Sequence, residues 1–219
     1  LSALAACATT GEGSAQESAI TAPQRGVDRQ ARARIVRADM LTQMAFWAGE
    51  YNTFPNDIEA ARQFAESLRK GGRAERAVQV ASDALARFPN DTALLYTYGL
   101  AQIGAHQPQE ALRPLALVAQ ADPQNWHVRS ALGAALDQLG RFTDARRAYQ
   151  EALALQPDNP GVLTNLGVSH LMAGDPAAAE PILRQASALP NAPPEARQNL
   201  AISLALQGRF GEAEQLQRV

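Results

Sequence analysis

The amino-acid sequence predicts an all-α fold, a right-handed solenoid of helix-turn-helix units with an extra N-terminal helix. Three observations point there. Ala77, Ala111, Ala145, Ala179 and Ala213 recur every 34 residues without a gap. Gly72, Gly140, Gly174 and Gly208 fall on the same lattice, with His106 in the remaining place, and Pro89, Pro123 and Pro157 keep the same interval. Between these marks the apolar residues recur at helical spacing, in a 219-residue chain that is 46% hydrophobic but only 5% aromatic. Plentiful alanine, leucine, glutamine and arginine favour helix over strand.

The fullest unit, WHVRSALGAALDQLGRFTDARRAYQEALALQPDN at 126–159, shows how each piece arises. Ala131, Leu132, Ala135, Leu136 and Leu139 share one helical stripe, and Gly140 ends that helix where the backbone needs freedom. Ala145, Ala148, Tyr149, Ala152 and Leu155 form a second stripe, and Pro157 forces the exit. Small residues at Gly133 and Ala145 let the two helices approach, with Tyr149 filling the space beside them. The units are 58–91, 92–125, 126–159, 160–193 and a truncated 194–219. Unit 58–91 is the weaker match, with Ala65 where glycine is usual and Ala81 where a large residue is usual. Unit 160–193 ends in PNAPPE, so Pro190 stands a place early and a looser turn is expected. Residues 27–57 are read as a capping helix, over about 28–49, followed by a linker; Pro55 keeps the lattice but 24–54 lacks its other marks. The sequence stops at Val219, partway through a second helix. A solenoid needs a polar terminal element, so the full protein is expected to continue.

Leu132, Gly133, Gly140, Phe142, Ala145, Tyr149, Ala152, Leu155 and Pro157 together resemble the tetratricopeptide repeat. The resemblance implies a concave groove lined by the first helix of each unit, at its second, fifth, ninth, twelfth and thirteenth residues. Those places give a charged N-terminal lip, Glu59, Arg62, Glu66, Arg69 and Lys70, followed by Tyr96, Leu100 and Ile103. Next come His127, Ser130, Asp137 and Gln138, then Thr164, Val168, Leu171 and Met172, and last Gln198, Ile202 and Leu206. Repeats that clamp a C-terminal carboxylate place lysine, arginine and asparagine at the fifth and ninth places. Here the ninth reads Glu66, Leu100, Ala134, Val168 and Ile202, which excludes that form of clamp. An apolar peptide or helix fits such a groove better. Alternatively, part of the stripe is covered within the chain, by the N-terminal helix or by a C-terminal one.

Cys7 is the chain's single cysteine, so it makes no internal disulfide. Leu4-Ala5-Ala6-Cys7 matches the bacterial lipobox, which makes residues 1–7 the end of a lipoprotein signal and Cys7 the acylated position. Small residues before the cut suit a narrow peptidase site. Residues 8–26, rich in Gly, Ser, Thr, Gln and Glu, read as a disordered tether with a reach of roughly 25 Å. Ala8 after the cysteine points to the outer membrane by the usual bacterial sorting preference. An incidental Cys7 in a soluble adaptor is the alternative. Arg25, Arg29, Arg32, Arg34 and Arg37 follow the tether. They read as a solvated face, partly paired through Asp28 and Arg32, or as a contact for headgroups or an acidic partner.

A net charge of -2 offers no basic surface for nucleic acid, and no apolar run nears the ~18 residues of a membrane span. His106, His127 and His170 form no metal-ligand spacing with any cysteine or carboxylate, and no motif sets a nucleophile beside a histidine and an acid. KGGR at 70–73 lacks the strand and the GK[ST] ending of a phosphate loop. No enzyme activity, cofactor or small-molecule substrate is expected. The segments WHVRSALGAALDQLGRFTDARRAYQEAL, LTNLGVSHLMAGDPAAAEPILRQA and RQNLAISLALQGRFGEAE, with the lipobox and tether, resemble the TadD family of tight-adherence (Flp) pilus assembly lipoproteins. That resemblance implies a non-enzymatic factor anchored at the periplasmic face of the outer membrane, with a secretin or another pilus component as protein partner. Other lipid-anchored envelope scaffolds, such as a type IV pilotin or an exopolysaccharide factor, stay open beside it.

Overall fold

The computed structural model describes residues 28–217, in which the chain forms twelve helices and no strand. Cys7, the lipobox and the tether lie outside the described residues. After α1 (Arg29–Ile35) and α2 (Met40–Thr53) come five helix pairs. Their first, or A, helices are α3 (Ile58–Lys70), α5 (Thr92–Gly104), α7 (Trp126–Gln138), α9 (Pro160–Met172) and α11 (Pro194–Leu206). The second, or B, helices are α4 (Ala74–Leu85), α6 (Pro108–Ala121), α8 (Phe142–Leu155), α10 (Pro176–Ala188) and α12 (Phe210–Gln217).

The lattice residues set the boundaries. Asp57, Asp91, Asn125 and Asn159 each cap an A helix by accepting backbone N–H bonds. Pro193 replaces the fifth cap and offers no side-chain bond, yet α11 still starts on register at Pro194. The A-to-B turns require a left-handed residue, and Gly140 supplies it at φ 71°. His106 adopts the same conformation at φ 56°, at the cost a side chain carries there. Each turn closes with an N–H reaching the carbonyl five residues back, as Arg73 to Leu68 at 2.8 Å and Arg141 to Leu136 at 2.9 Å.

Within a pair, size complementarity fixes the spacing. A Cβ built on Gly133 would stand 2.5 Å from Tyr149 Cε1, and one on Gly99 or Gly167 would stand 2.6 or 2.5 Å from Leu115 or Leu183 Cγ. In the first pair Ala65 and Ala81 are buried in one cluster. The two departures that weaken unit 58–91 as a sequence match therefore compensate each other, since a small partner needs no glycine opposite.

Between pairs, each B helix joins the following A helix in one core. Leu115 and Val118 meet Val128 and Ala135; Tyr149 and Ala152 meet Val162 and Leu166; Leu183 meets Leu200 and Leu204. Consecutive A helices also touch along the stack, from α3 to α11, whereas consecutive B helices do not. The array therefore curves with the A helices on its inner wall.

The N-terminal addition packs on the first pair, and it is divided rather than continuous over 28–49. Asp39 stops α1 from running on by capping α2, accepting from Thr42 N at 3.0 Å and Thr42 Oγ1 at 2.6 Å. Residue 40 stands 34 places before Ala74, so α2 keeps B-helix register and α1 acts as a shortened A helix. Arg32 is buried, not solvated: it donates to Glu50, Asp57 and Glu59, each at 2.7 Å, and lies 5.4 Å from the Trp47 ring. Burial opposes its charge, but the three carboxylates outweigh that and hold the guanidinium above its usual range.

Gly133→Ala is expected to destabilise the fold by about 1–3 kcal/mol although alanine is the better helix former, because the buried Tyr149 ring has nowhere to move. Thermal melts followed by circular dichroism measure this; an unchanged or raised midpoint would contradict the close approach.

Candidate functional site

The inner wall repeats five places per A helix, and they are not equally open. Second-place Glu59 and His127 and thirteenth-place Lys70, Met172 and Leu206 are exposed. Most fifth-, ninth- and twelfth-place side chains are half-buried between neighbouring A helices. An A helix thus shows solvent only a narrow ridge.

At the N-terminal lip the charges are already paired. Arg69 donates to Glu66 at 2.8 and 2.7 Å, Lys70 lies 3.3 Å from the same carboxylate, and Arg62 is bound to Asp91. Burial opposes the charge of Glu66, yet Arg69 and Lys70 hold its carboxyl below the usual range; Asp91 is held low against burial by Arg62 in the same way. Burial beside this cluster pushes the Tyr96 hydroxyl up. Tyr96, Leu100 and Ile103 pack against the Leu115–Val118–Val128 core, so the middle of the expected groove is only half open. His127 is exposed and stacks on Trp126 at 3.6 Å.

Two of the expected groove positions are corrected by the structure. Thr164 is buried, its hydroxyl donating to the Pro160 carbonyl at 2.6 Å within α9. Asp137 is buried between repeats, where it accepts from Tyr149 Oη at 2.9 Å and from Ser169 Oγ at 2.7 Å. Fifth- and twelfth-place residues point partly along the stack, which a one-face helical count does not reveal. Burial raises the Asp137 carboxyl despite its two hydrogen bonds. It also lowers His170, beside Arg146.

The open part lies toward the C-terminal end. Met172 and Ile202 are each 49% exposed and Leu206 more so, with Val168 half-buried beside them. Leu171 instead packs on the Leu183–Leu200–Leu204 core. Met172 is open although α11 follows and touches its helix, so its exposure belongs to the repeat itself. Among the described residues no His, Cys, Asp or Glu group could hold a metal ion, and no helix is long and apolar enough to cross a membrane.

Asp137 gives the fold a pH signature. A carboxyl raised above its ordinary 3.8 stabilises the fold most below that value, and the contribution fades as pH climbs through the folded pKa. Asp57, Glu66 and Asp91, held low, lose theirs as pH falls. Asp137→Asn removes the offsetting contribution, so the variant is expected to lose more stability than the parent between about pH 7 and 4. Urea titrations at the two pH values measure the difference; equal losses would refute it.

Comparison with known proteins agrees with this geometry. A family model described as tetratricopeptide repeat matches residues 62–125 and 130–196, and a second of that description matches 195–219. A TPR repeat-containing protein of Pseudomonas aeruginosa is 33% identical over 123 residues, 56% of this chain and 21% of that one. Tetratricopeptide repeat protein 33 of Homo sapiens is 30% identical over 96 residues, 44% of this chain and 37% of that one. The chain therefore spans well under half the length of either relative. Among solved structures, MamA of strain MSR-1 is 27% identical with a TM-score of 0.59, over 72% of this chain and 89% of that one. MamA of Desulfovibrio magneticus RS-1 shares the fold at a TM-score of 0.64 and 24% identity, over 73% and 90% of the two chains.

Proposed function

This chain belongs to the tetratricopeptide repeat family, and from that premise we propose that it is a lipid-anchored, non-enzymatic assembly scaffold of Flp-type pilus biogenesis. The fold itself is one of protein–protein interaction. The finer reading adds Cys7 as the acylated residue and 8–26 as the leash. It adds the periplasmic face of the outer membrane as the location, and a secretin or another pilus component as the partner. One observation carries the binding site: apolar Met172, Ile202 and Leu206 stand open on an inner wall whose N-terminal charges are mutually paired. Such a ridge suits the apolar face of a partner helix or extended segment. Anchoring would hold it within leash range of an outer-membrane partner and raise the effective concentration of the encounter.

Met172→Asp with Leu206→Asp tests the ridge, because both residues are exposed and their replacement leaves the core intact. The double variant is expected to keep its helical content and to lose at least about tenfold in binding to the purified pilus secretin. Undiminished binding by the folded variant would remove this surface from consideration. The anchor is tested separately: labelled palmitate should enter the parent and not Cys7→Ser, and equal labelling of both would exclude acylation at that residue.

A further inference from the structure

The corner where α1 turns into α2 carries chemistry that the inner wall does not use. Val36 and Leu41 stand 66% and 73% exposed there, and Leu41 is the most exposed large apolar side chain among the described residues. Arg34 and Arg37 are exposed beside them in sequence, and Arg29 is exposed at the start of α1. None of the three enters an ion pair among the described residues; Arg34 Nε only donates to the Gln30 carbonyl at 3.3 Å. Asp28 accepts the Gln30 and Ala31 N–H groups, Asp39 caps α2, and Glu50, Asp57 and Glu59 hold Arg32.

The corner is also firmly shaped. Gln43 Nε2 donates to the Val36 carbonyl at 3.3 Å and the Ala38 carbonyl at 2.8 Å. Arg37 N and Ala38 N reach back to the Arg34 and Ile35 carbonyls at 3.2 and 3.0 Å. The Arg32 lock fixes the whole element to α2 and α3. Two apolar tips beside guanidinium groups that enter no ion pair among the described residues offer no groove for a peptide. They match a plane that is anionic at its surface and apolar just beneath.

We propose that this corner seats on an anionic phospholipid surface, with the arginines at the headgroups and Val36 and Leu41 in the interfacial layer. Residues 1–27 join the fold at Asp28, so the chain enters at the seated end. The contact would orient the stack end-on to the bilayer. It deepens the anchored reading but needs no acyl group, so it can be tested without one.

The test uses the whole 219-residue chain carrying Cys7→Ser, floated with vesicles of phosphatidylethanolamine containing about one third phosphatidylglycerol. Binding is expected there and not on phosphatidylcholine alone, and it should weaken between about 50 and 300 mM salt. Arg34→Glu with Arg37→Glu should lower the partition at least about 25-fold, from about fivefold per cation. Val36→Ser with Leu41→Ser should also lower it. Arg73→Glu with Arg113→Glu, exposed cations elsewhere, should float like the parent. No flotation with the anionic vesicles, or an equal loss in the Arg73/Arg113 pair, overturns the proposal. Failure here with palmitate labelling intact leaves the anchor standing; success here without labelling leaves only the seated corner.

Discussion

The seam between each B helix and the next A helix is the contact on which the rest depends. One helix pair is too thin to cover its own apolar faces: Leu115 and Val118 are sealed only when Val128, Ala131 and Ala135 of the next pair lie over them. A side chain of that size contributes roughly 1.5–3 kcal/mol when fully buried, and successive seams add nearly independently. The 34-residue period is the length at which a B helix, its exit turn and a capped A helix return the next seam to the same place. Because A helices also touch their successors and B helices do not, sealing the seams bends the stack and creates its inner wall.

Polar contacts decide what that wall can still bind. Asp57 and Asp91 cap an A helix and also hold an arginine from the A-type helix before it, Arg32 in one case and Arg62 in the other. Asp137 ties α7 to α8 through Tyr149 and joins the third pair to the fourth through Ser169. Each such tie uses charges and hydroxyls that would otherwise face a ligand. Glu66, Arg69 and Lys70 neutralise one another in the same manner. Toward the C-terminal end what stays open is largely apolar, in Met172, Ile202 and Leu206, and this favours an apolar partner segment over an acidic or basic peptide.

The sequence lattice was sufficient for the helix pairs because the residues that set their limits are local. A capping Asp or Asn, a left-handed turn residue and a small residue facing a large one act over a few positions and repeat. Arg32 was illegible for the opposite reason: its partners are 18, 25 and 27 residues away. Nothing in a run of five arginines marks the one that is buried, although Glu50, Asp57 and Glu59 stood ready as counter-charges. Thr164 and Asp137 were misplaced because the helical count assigns each residue to a face of its own helix. The environment of Asp137 is set by α8 and α9 instead. Ser169, buried at full depth against Asp137, carried no sequence signal at all.

The two unsatisfied surfaces lie at opposite ends of the stack, and that separation has a mechanical consequence. Helix centres in contact stand about 8–10 Å apart, so the three or four A-helix steps from α3 to α9 or α11 span roughly 25–40 Å. Held by the proposed anchor and tether alone, the domain would tumble and sweep its ridge through many orientations. A seated basic corner would remove most of that freedom and project the apolar ridge away from the bilayer. Partner capture would then happen at a defined height, with little orientational entropy left to lose. Rigidity in the seams makes this possible, because a stack with loose joints would transmit neither height nor direction from Arg32 at one end to Met172 at the other.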